Sequence, residues 1–401
     1  MNATIYPGKL RGAVQAPPSK SAAHRALVAA ALADGPTSLR LGRLNQDIEA
    51  TMRCLSALGA SFDGDGERWQ VMPASRVPAR AELDCGESGS TLRFLLPVAC
   101  ALGARARFTG RGRLPERPNR ALTEALRAHG ATIDSDLLPM AAEGPLTAGR
   151  FALPGDVSSQ YVTGLLFALP LLDGDSAIAL TTRLESAAYV DMTLRALAAF
   201  GVIAEATESG WRVLGGQRYR TPGRLDVEGD WSAAAFWLAA NRIGSDVRVE
   251  GLSEDTAQGD RAVLSLLGRP RIDASNVPDL VPALAAAAAT LPQVTTVTGA
   301  ARLRLKESDR LSATAGFINA LGGRAEATAD GLIVEGGRPI RGGRVDGAGD
   351  HRIVMAAAVL ATAADGPVTI AGAEAVAKSY PDFFRDFIRL GGRADVEQPW
   401  Q

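Results

Sequence analysis

One pattern recurs six times along this chain and restricts its folding more than any single motif does. A short helical stretch ends at a glycine and is followed by a strand-like run: CLSALGASFD, ALRAHGATID, ALAAFGVIAEA, LSLLGRPRID, INALGGRAEAT and FIRLGGRADVE. The glycines lie roughly 55 to 70 residues apart, the length of one supersecondary unit rather than of a domain. A glycine suits a helix end that needs a left-handed residue. A second series alternates with the first: SKSAAHRALVAA, ESGSTLRFLLPVA, SSQYVTGLLFALP, DWSAAAFWLAA, VPDLVPALAAAAA and DHRIVMAAAVLA. Each leads into a turn and a strand, such as TSLRLGRL, AIALTTRL, DVRVEGL or PVTIAGA. The unit reads helix, strand, helix, strand, with a further strand after "DG" in FDGDGERWQV and TADGLIVEG. This is a mixed α/β repeat in six copies.

The second series is so rich in Ala and Leu that its helices retain little polar face and must be buried on nearly all sides. Their first turns are crowded with Lys, Ser, Gln, Asp, Glu and Arg. Ser and Asp there are good caps, but Lys20, Ser159-Gln160 and His351-Arg352 exceed what a cap requires. Helix N-termini gathered in one place would favour anions, through unpaired N–H groups and the helix dipole.

At 401 residues two domains are expected. A net charge of −1 gives no reason for a nucleic-acid or membrane partner. Cys54, Cys85 and Cys100 share no metal-type spacing and suit a reducing compartment as buried thiols. The start of the chain has no charged-then-apolar leader pattern, and LVPALAAAAATL is too short to span a bilayer. A cytoplasmic protein is expected, with no metal and no cofactor.

Lysine is used sparingly. Of 43 Lys plus Arg only Lys9, Lys20, Lys306 and Lys378 are lysines, so these are candidates for places where a guanidinium will not serve. Lys20 opens a helix, where the dipole disfavours a cation. The densest polar cluster is RLKESDRLSAT, with Lys306, Glu307, Asp309 and Arg310 at an expected strand-to-helix junction. A solvated, salt-bridged helix start is its plain alternative. GDHRIVMA puts His351 and Arg352 at the mouth of a buried helix, and VAKSYPDFF puts Lys378 at the start of a final helix with Pro381 in its first turn. LPGDVSSQYVTGLL supplies Ser158, Ser159 and Gln160, neutral donors suited to phosphate or hydroxyl oxygens. In NVPDLVPAL, Asp279 precedes an apolar helix; with few competing partners it could serve as a general base. No P-loop, dinucleotide fingerprint or zinc pattern is present.

The ordered set PPSKSAAHRAL, ESGSTLRFL, RLPERP, SSQYVTGLL, NVPDL, LKESDR, GDHRIVMA and AKSYPDFF resembles the motif series of the EPSP synthase family, over nearly the whole chain. The resemblance implies a two-domain, inside-out α/β barrel of six βαβαββ units, three per domain. Residues 19–227 would form the upper domain; 1–18 and 228–401 the lower, with crossovers near residues 18 and 227 as hinge. It implies transfer of the enolpyruvyl group of phosphoenolpyruvate to the 5-hydroxyl of shikimate 3-phosphate, in chorismate and aromatic amino-acid biosynthesis. Shikimate 3-phosphate would be held by Lys20, Ser21, Arg25, Ser158, Ser159, Gln160, Ser186, Asp279 and Lys306, with Tyr189 nearby. Phosphoenolpyruvate would meet Lys20, Gly89, Arg117, Gln160, Arg310, His351, Arg352 and Lys378. Asp279 would be the base and Glu307 the acid at C3, assisted by Lys20 or Lys378. A compact ammonium can pass on a proton, and arginine effectively cannot. A monomer is expected.

Glu87, Phe94 and Arg302 depart from residues common in that family. The related UDP-N-acetylglucosamine enolpyruvyl transferases carry Lys-Asn where this chain has Lys20-Ser21, and a loop cysteine; here Cys85 sits before GESGS and Cys100 inside an expected helix, and neither has the look of a mobile acid. A non-catalytic anion-binding protein of the same repeat is the rival from another class; the presence of Asp279, Glu307 and Lys378 argues against it.

Overall fold

Within each repeat the first strand pairs in parallel with the second, so a helix must cross over between them. The third and fourth strands then return as an antiparallel pair. In the computed structural model, which describes residues 1–397, this gives sheets ordered first, second, fourth, third strand. Arg80–Asp84, Arg105–Thr109, Met140–Glu143 and Thr132–Ile133 form one, with Arg80 opposite Arg105 in the parallel register and Arg105 opposite Glu143 in the antiparallel one. The six helix-terminating glycines, Gly59, Gly130, Gly201, Gly268, Gly322 and Gly391, all have φ between 73° and 104°. That conformation costs an L side chain energy and glycine little.

The chain divides into two compact units, Pro18–Val227 and Met1–Pro17 with the chain from Glu228 onward. Each has its own apolar core. In the Pro18–Val227 unit three four-stranded sheets surround the helices Lys20–Ala31, Gly89–Ala101 and Ser159–Ala168, whose bodies are buried almost throughout. The last strand, Arg224–Asp226, supplies the first position of the sheet that contains Thr37–Arg40, so the repeat closes on itself. The helices approach closely: a methyl at Gly164 would overlap the Arg93 carbonyl oxygen.

The other unit buries Trp231–Arg242, Val281–Ala288 and His351–Ala361 in the same way. The N-terminal strand Asn2–Tyr6 completes the sheet of Gly343–Asp346, Val368–Ala371 and Arg393–Val396. One repeat is abbreviated. Arg11–Gln15 and Asp246–Glu250 form a two-stranded sheet, because the chain after the four-residue helix Val263–Leu266 runs directly into Arg271–Asp273 of the next sheet. The six-repeat arrangement thus stands, with four-stranded sheets in five repeats and a two-stranded sheet in the sixth.

Two local expectations also change. Lys378 ends the 3-10 turn Ala373–Lys378, and the final helix begins only at Phe383. The Lys306–Arg310 cluster follows the 3-10 turn Ala301–Leu305 rather than a strand, and Asp309 caps the helix Arg310–Ala320.

Candidate active site

The buried helices begin with side-chain caps in five of six cases: Ser19, Ser88, Ser158, Asp230 and Asp350 each accept a hydrogen bond from a first-turn N–H. Capping occupies an acceptor position on each of these side chains and leaves the serine O–H groups able to donate. The exception is Val281–Ala288, preceded by the 3-10 turn Pro278–Leu280 that carries Asp279.

In the Pro18–Val227 unit, Lys20 Nζ lies 3.0 Å from Asp47 Oδ2. Asp47 sits in the first turn of Gln46–Ala57, where the dipole favours an anion. This carboxylate accounts for a lysine at a helix start, and sequence reasoning missed it because NQDIEA reads as ordinary capping. Arg25, buried, donates from Nε to Thr193 Oγ1 (2.9 Å), from Nη1 to the Ser21 carbonyl (2.7 Å), and from Nη2 to the Tyr189 carbonyl (2.7 Å) and Thr163 Oγ1 (3.4 Å). Among the described residues one Nη1–H is left without a hydrogen-bond partner. Burial pushes Arg25 down to about 10.

Gln160 is fixed at both ends of its amide: Nε2 donates to Ser90 Oγ (2.9 Å) and Oε1 accepts from Arg93 Nη1 (2.7 Å). Arg93 is a second residue that the motif reading missed. An arginine inside the apolar run TLRFLL was its only signal. It is buried, bonded also to Asn119 Oδ1 and the Pro118 carbonyl, and lies 5.4 Å from the Tyr161 ring. Ser159 is buried in the first turn after its cap Ser158. Ser186 adopts a left-handed φ of 55° before Ala187–Ala199, a conformation that concentrates at functional sites.

Gly89 and Arg117 belong together. A Cβ at Gly89 would stand 2.8 Å from Arg117 Nη1. Arg117 is buried, and among the described residues its Nε has no hydrogen-bond partner and no carboxylate pairs with it. A guanidinium so placed is suited to an incoming anion.

The second unit joins its candidates through Arg310, which is 1% exposed. Its Nε donates to Asp350 Oδ2 (2.9 Å), Nη1 to Asp279 Oδ1 (3.0 Å) and Nη2 to Glu307 Oε2 (2.6 Å). Arg352 Nη2 reaches Asp279 Oδ2 at 3.0 Å and its Nη1 the Asp279 carbonyl at 3.1 Å. Lys306 Nζ stands 3.8 Å from Asp279, and Lys378 Nζ 3.8 Å from Glu307 Oε1. His351 Nδ1 is 3.7 Å from Asp350 Oδ1. Asp279, Lys306, Glu307, Arg310, His351, Arg352 and Lys378 thus form one cluster.

Asp279 does not have the few partners expected of it. Burial alone would push its carboxyl up, but Arg352, Lys306 and Arg310 outweigh that and hold it well below the usual carboxylate range. It is a strongly paired carboxylate whose charge the surrounding cations favour. No metal-binding group of His, Cys, Asp or Glu occurs among the described residues.

Three carboxylates sharing one buried guanidinium, with two lysines beside them, make a site with the charges to bind anions and the groups to move protons. The fold matches the enolpyruvyl transferase NikO from Streptomyces tendae, with a TM-score of 0.78 over 98% of each chain at 19% identity. EPSP synthase from Acinetobacter baumannii superposes with a TM-score of 0.83 over 99% of this chain and 100% of that one, at 27% identity. The sequence profile of EPSP synthase (3-phosphoshikimate 1-carboxyvinyltransferase) matches residues 5–270 and 270–387. The 3-phosphoshikimate 1-carboxyvinyltransferase of Clostridium kluyveri is 40% identical over 98% of both chains; that of Halobacterium salinarum is 40% identical over 98% of this chain and all of its own. The chain belongs to the EPSP synthase family.

Proposed function

We propose the following division of labour for this chain, which as a member of its family transfers the enolpyruvyl group of phosphoenolpyruvate to the 5-hydroxyl of shikimate 3-phosphate. In the Pro18–Val227 unit Lys20, Ser21, Arg25, Ser158, Ser159, Gln160 and Ser186 hold the shikimate phosphate and carboxylate, while Gly89 and Arg117 receive phosphoenolpyruvate. In the other unit Arg310, His351, Arg352 and Lys378 bind phosphoenolpyruvate, and Lys306 and Asp279 meet the shikimate hydroxyls.

The observation that carries the chemistry is the Arg310 bridge between Asp279 and Glu307, at 3.0 and 2.6 Å. When substrate phosphate and carboxylate groups compete for Arg310 and Arg352, Asp279 loses the cations that hold it down and becomes a better base. It takes the 5-hydroxyl proton as the oxygen forms its bond to C2. Glu307, beside Lys378, delivers a proton to C3, giving a tetrahedral intermediate with a methyl group. Elimination reverses the proton flow: a methyl proton leaves, the C2–C3 double bond reforms and the C–O bond to phosphate breaks. Carboxylates in different electrostatic surroundings divide such work between them.

Phosphate release from phosphoenolpyruvate, with shikimate 3-phosphate and UDP-N-acetylglucosamine in separate reactions, tests this reading. Turnover with the shikimate compound alone is expected, and Asp279→Asn should abolish most of it. Turnover with the sugar nucleotide, or an undiminished Asp279→Asn, overturns it. No helix among the described residues is long and apolar enough to cross a membrane. We place the reaction in the cytoplasm, carried out by a monomer; a dimer mass in light scattering at assay concentration would refute the latter.

A further inference from the structure

The conversion of Asp279 from paired anion to base raises the question of what holds the site's charge balance. Asp260 lies in the 3-10 turn Gly259–Ala262 and is 3% exposed. Its place is fixed by Gln258, whose Oε1 accepts from the Trp231 N–H (3.0 Å) and whose Nε2 donates to the Gly229 carbonyl (2.8 Å). Ser232 Oγ donates to Asp260 Oδ2. Asp260 Oδ1 is buried and, among the described residues, has no hydrogen-bond partner.

The charged groups around it are unbalanced. The carboxylates of Asp279, from the neighbouring turn, and Asp230, the cap of Trp231–Arg242, disfavour a charge on Asp260; Arg352, from His351–Ala361, favours it, and among the described residues no cation forms an ion pair with Asp260. Arg352 is already engaged by the Asp279 carboxylate and carbonyl. An ionised Asp260 in this place is a buried charge without an ion pair of its own, which proteins avoid by binding a proton.

We propose that Asp260 is a positioning residue whose proton sets the charge beside the Asp279–Arg352 pair and thereby couples the affinity for anionic substrate to pH. Burial and then Asp279 raise its carboxyl to about 7, against Arg352 and Ser232. When a substrate anion takes hold of Arg352, the positive charge that favours the Asp260 carboxylate is neutralised and Asp260 draws a proton from solvent. By linkage, the protonated form binds the anion more tightly, and the proton returns to solvent as the phosphate product leaves. This rests on the assignment of Arg352 and Asp279 to the substrate site.

The test is the KM for phosphoenolpyruvate, at saturating shikimate 3-phosphate, from pH 6 to 8.5 in wild type and Asp260→Asn. The asparagine mimics the protonated carboxyl, and the ionisation of phosphoenolpyruvate itself cancels in the ratio. With a midpoint near 7, the wild-type-to-variant KM ratio is expected to climb by up to about tenfold between pH 6 and 8. A ratio that stays flat overturns the proposal. Ser232→Ala provides a second reading if the asparagine variant fails to fold. Loss of the hydroxyl that favours the ionised carboxyl should move the rise in KM to higher pH, and an unmoved midpoint is equally fatal. Failure of the site reading itself would appear separately, as turnover by Asp279→Asn.

Discussion

Arg310 holds together three carboxylates from three elements, and its replacement by methionine should be felt first as instability. The side chain is 1% exposed and faces Asp350, Glu307 and Asp279, which are 0%, 13% and 17% exposed. Two of them have other cations: Arg352 and Lys306 for Asp279, Lys378 for Glu307. Asp350 keeps Ser308 Oγ and the Arg352 N–H, so the loss falls chiefly there. Removing one member of a buried ion pair costs about 3–5 kcal/mol. In a unit of this size that lowers the melting temperature by about 6–20 °C. The pH dependence identifies the cause. In the wild type Asp279 is held well below its ordinary value, so its stabilising contribution is present above the usual carboxylate range and lost only as pH falls through its lower folded value. In Arg310→Met the stranded carboxylates shed charge by binding protons, so the deficit is full at pH 7 and narrows as pH approaches about 4. Thermal melts at pH 5, 6, 7 and 8, followed by the fluorescence of buried Trp231 and Trp237, measure this. A variant that melts within a degree of wild type, or a deficit independent of pH, would show that Arg310 does not bear the charge balance described.

Lys378→Arg keeps the charge next to Glu307 but removes a proton that can be passed on; kcat should fall by about 10²-fold or more, and wild-type turnover would refute the reading of the sparse lysines. Gly89→Ala places a methyl 2.8 Å from Arg117 Nη1; the KM for phosphoenolpyruvate should rise about tenfold with that for shikimate 3-phosphate little changed, and equal effects on both would place Gly89 elsewhere. Gly164→Ala forces apart Ser159–Ala168 and Gly89–Ala101 at the Arg93 carbonyl and should destabilise the Pro18–Val227 unit by about 1–3 kcal/mol. Calorimetry showing no loss would mean that the helices yield without cost.

The repeat, its helix-ending glycines and its buried helices were legible because they are local. A positive-φ turn needs glycine wherever it occurs, and an Ala/Leu stretch without a polar face has to be buried. The motif series likewise pointed to Asp279, Glu307, Arg310, Arg352 and Lys378 without coordinates. Sequence alone also determined the number of repeats. Other features depended on partners far apart in the chain. The missing strand pair beside Asp246–Glu250 reflects where the chain is next needed, and sheet closure by Asn2–Tyr6 and Arg224–Asp226 joins distant segments. Electrostatics is the clearest case. Asp279 looked sparsely partnered next to an apolar helix, yet it is paired with Arg310 and Arg352, 31 and 73 positions away. Lys20 looked misplaced until Asp47 came within 3.0 Å, and Asp260 drew no notice in QGDRAV until burial isolated its carboxyl. Charge interactions fall off with distance and grow with desolvation, and both of those quantities are set by tertiary packing.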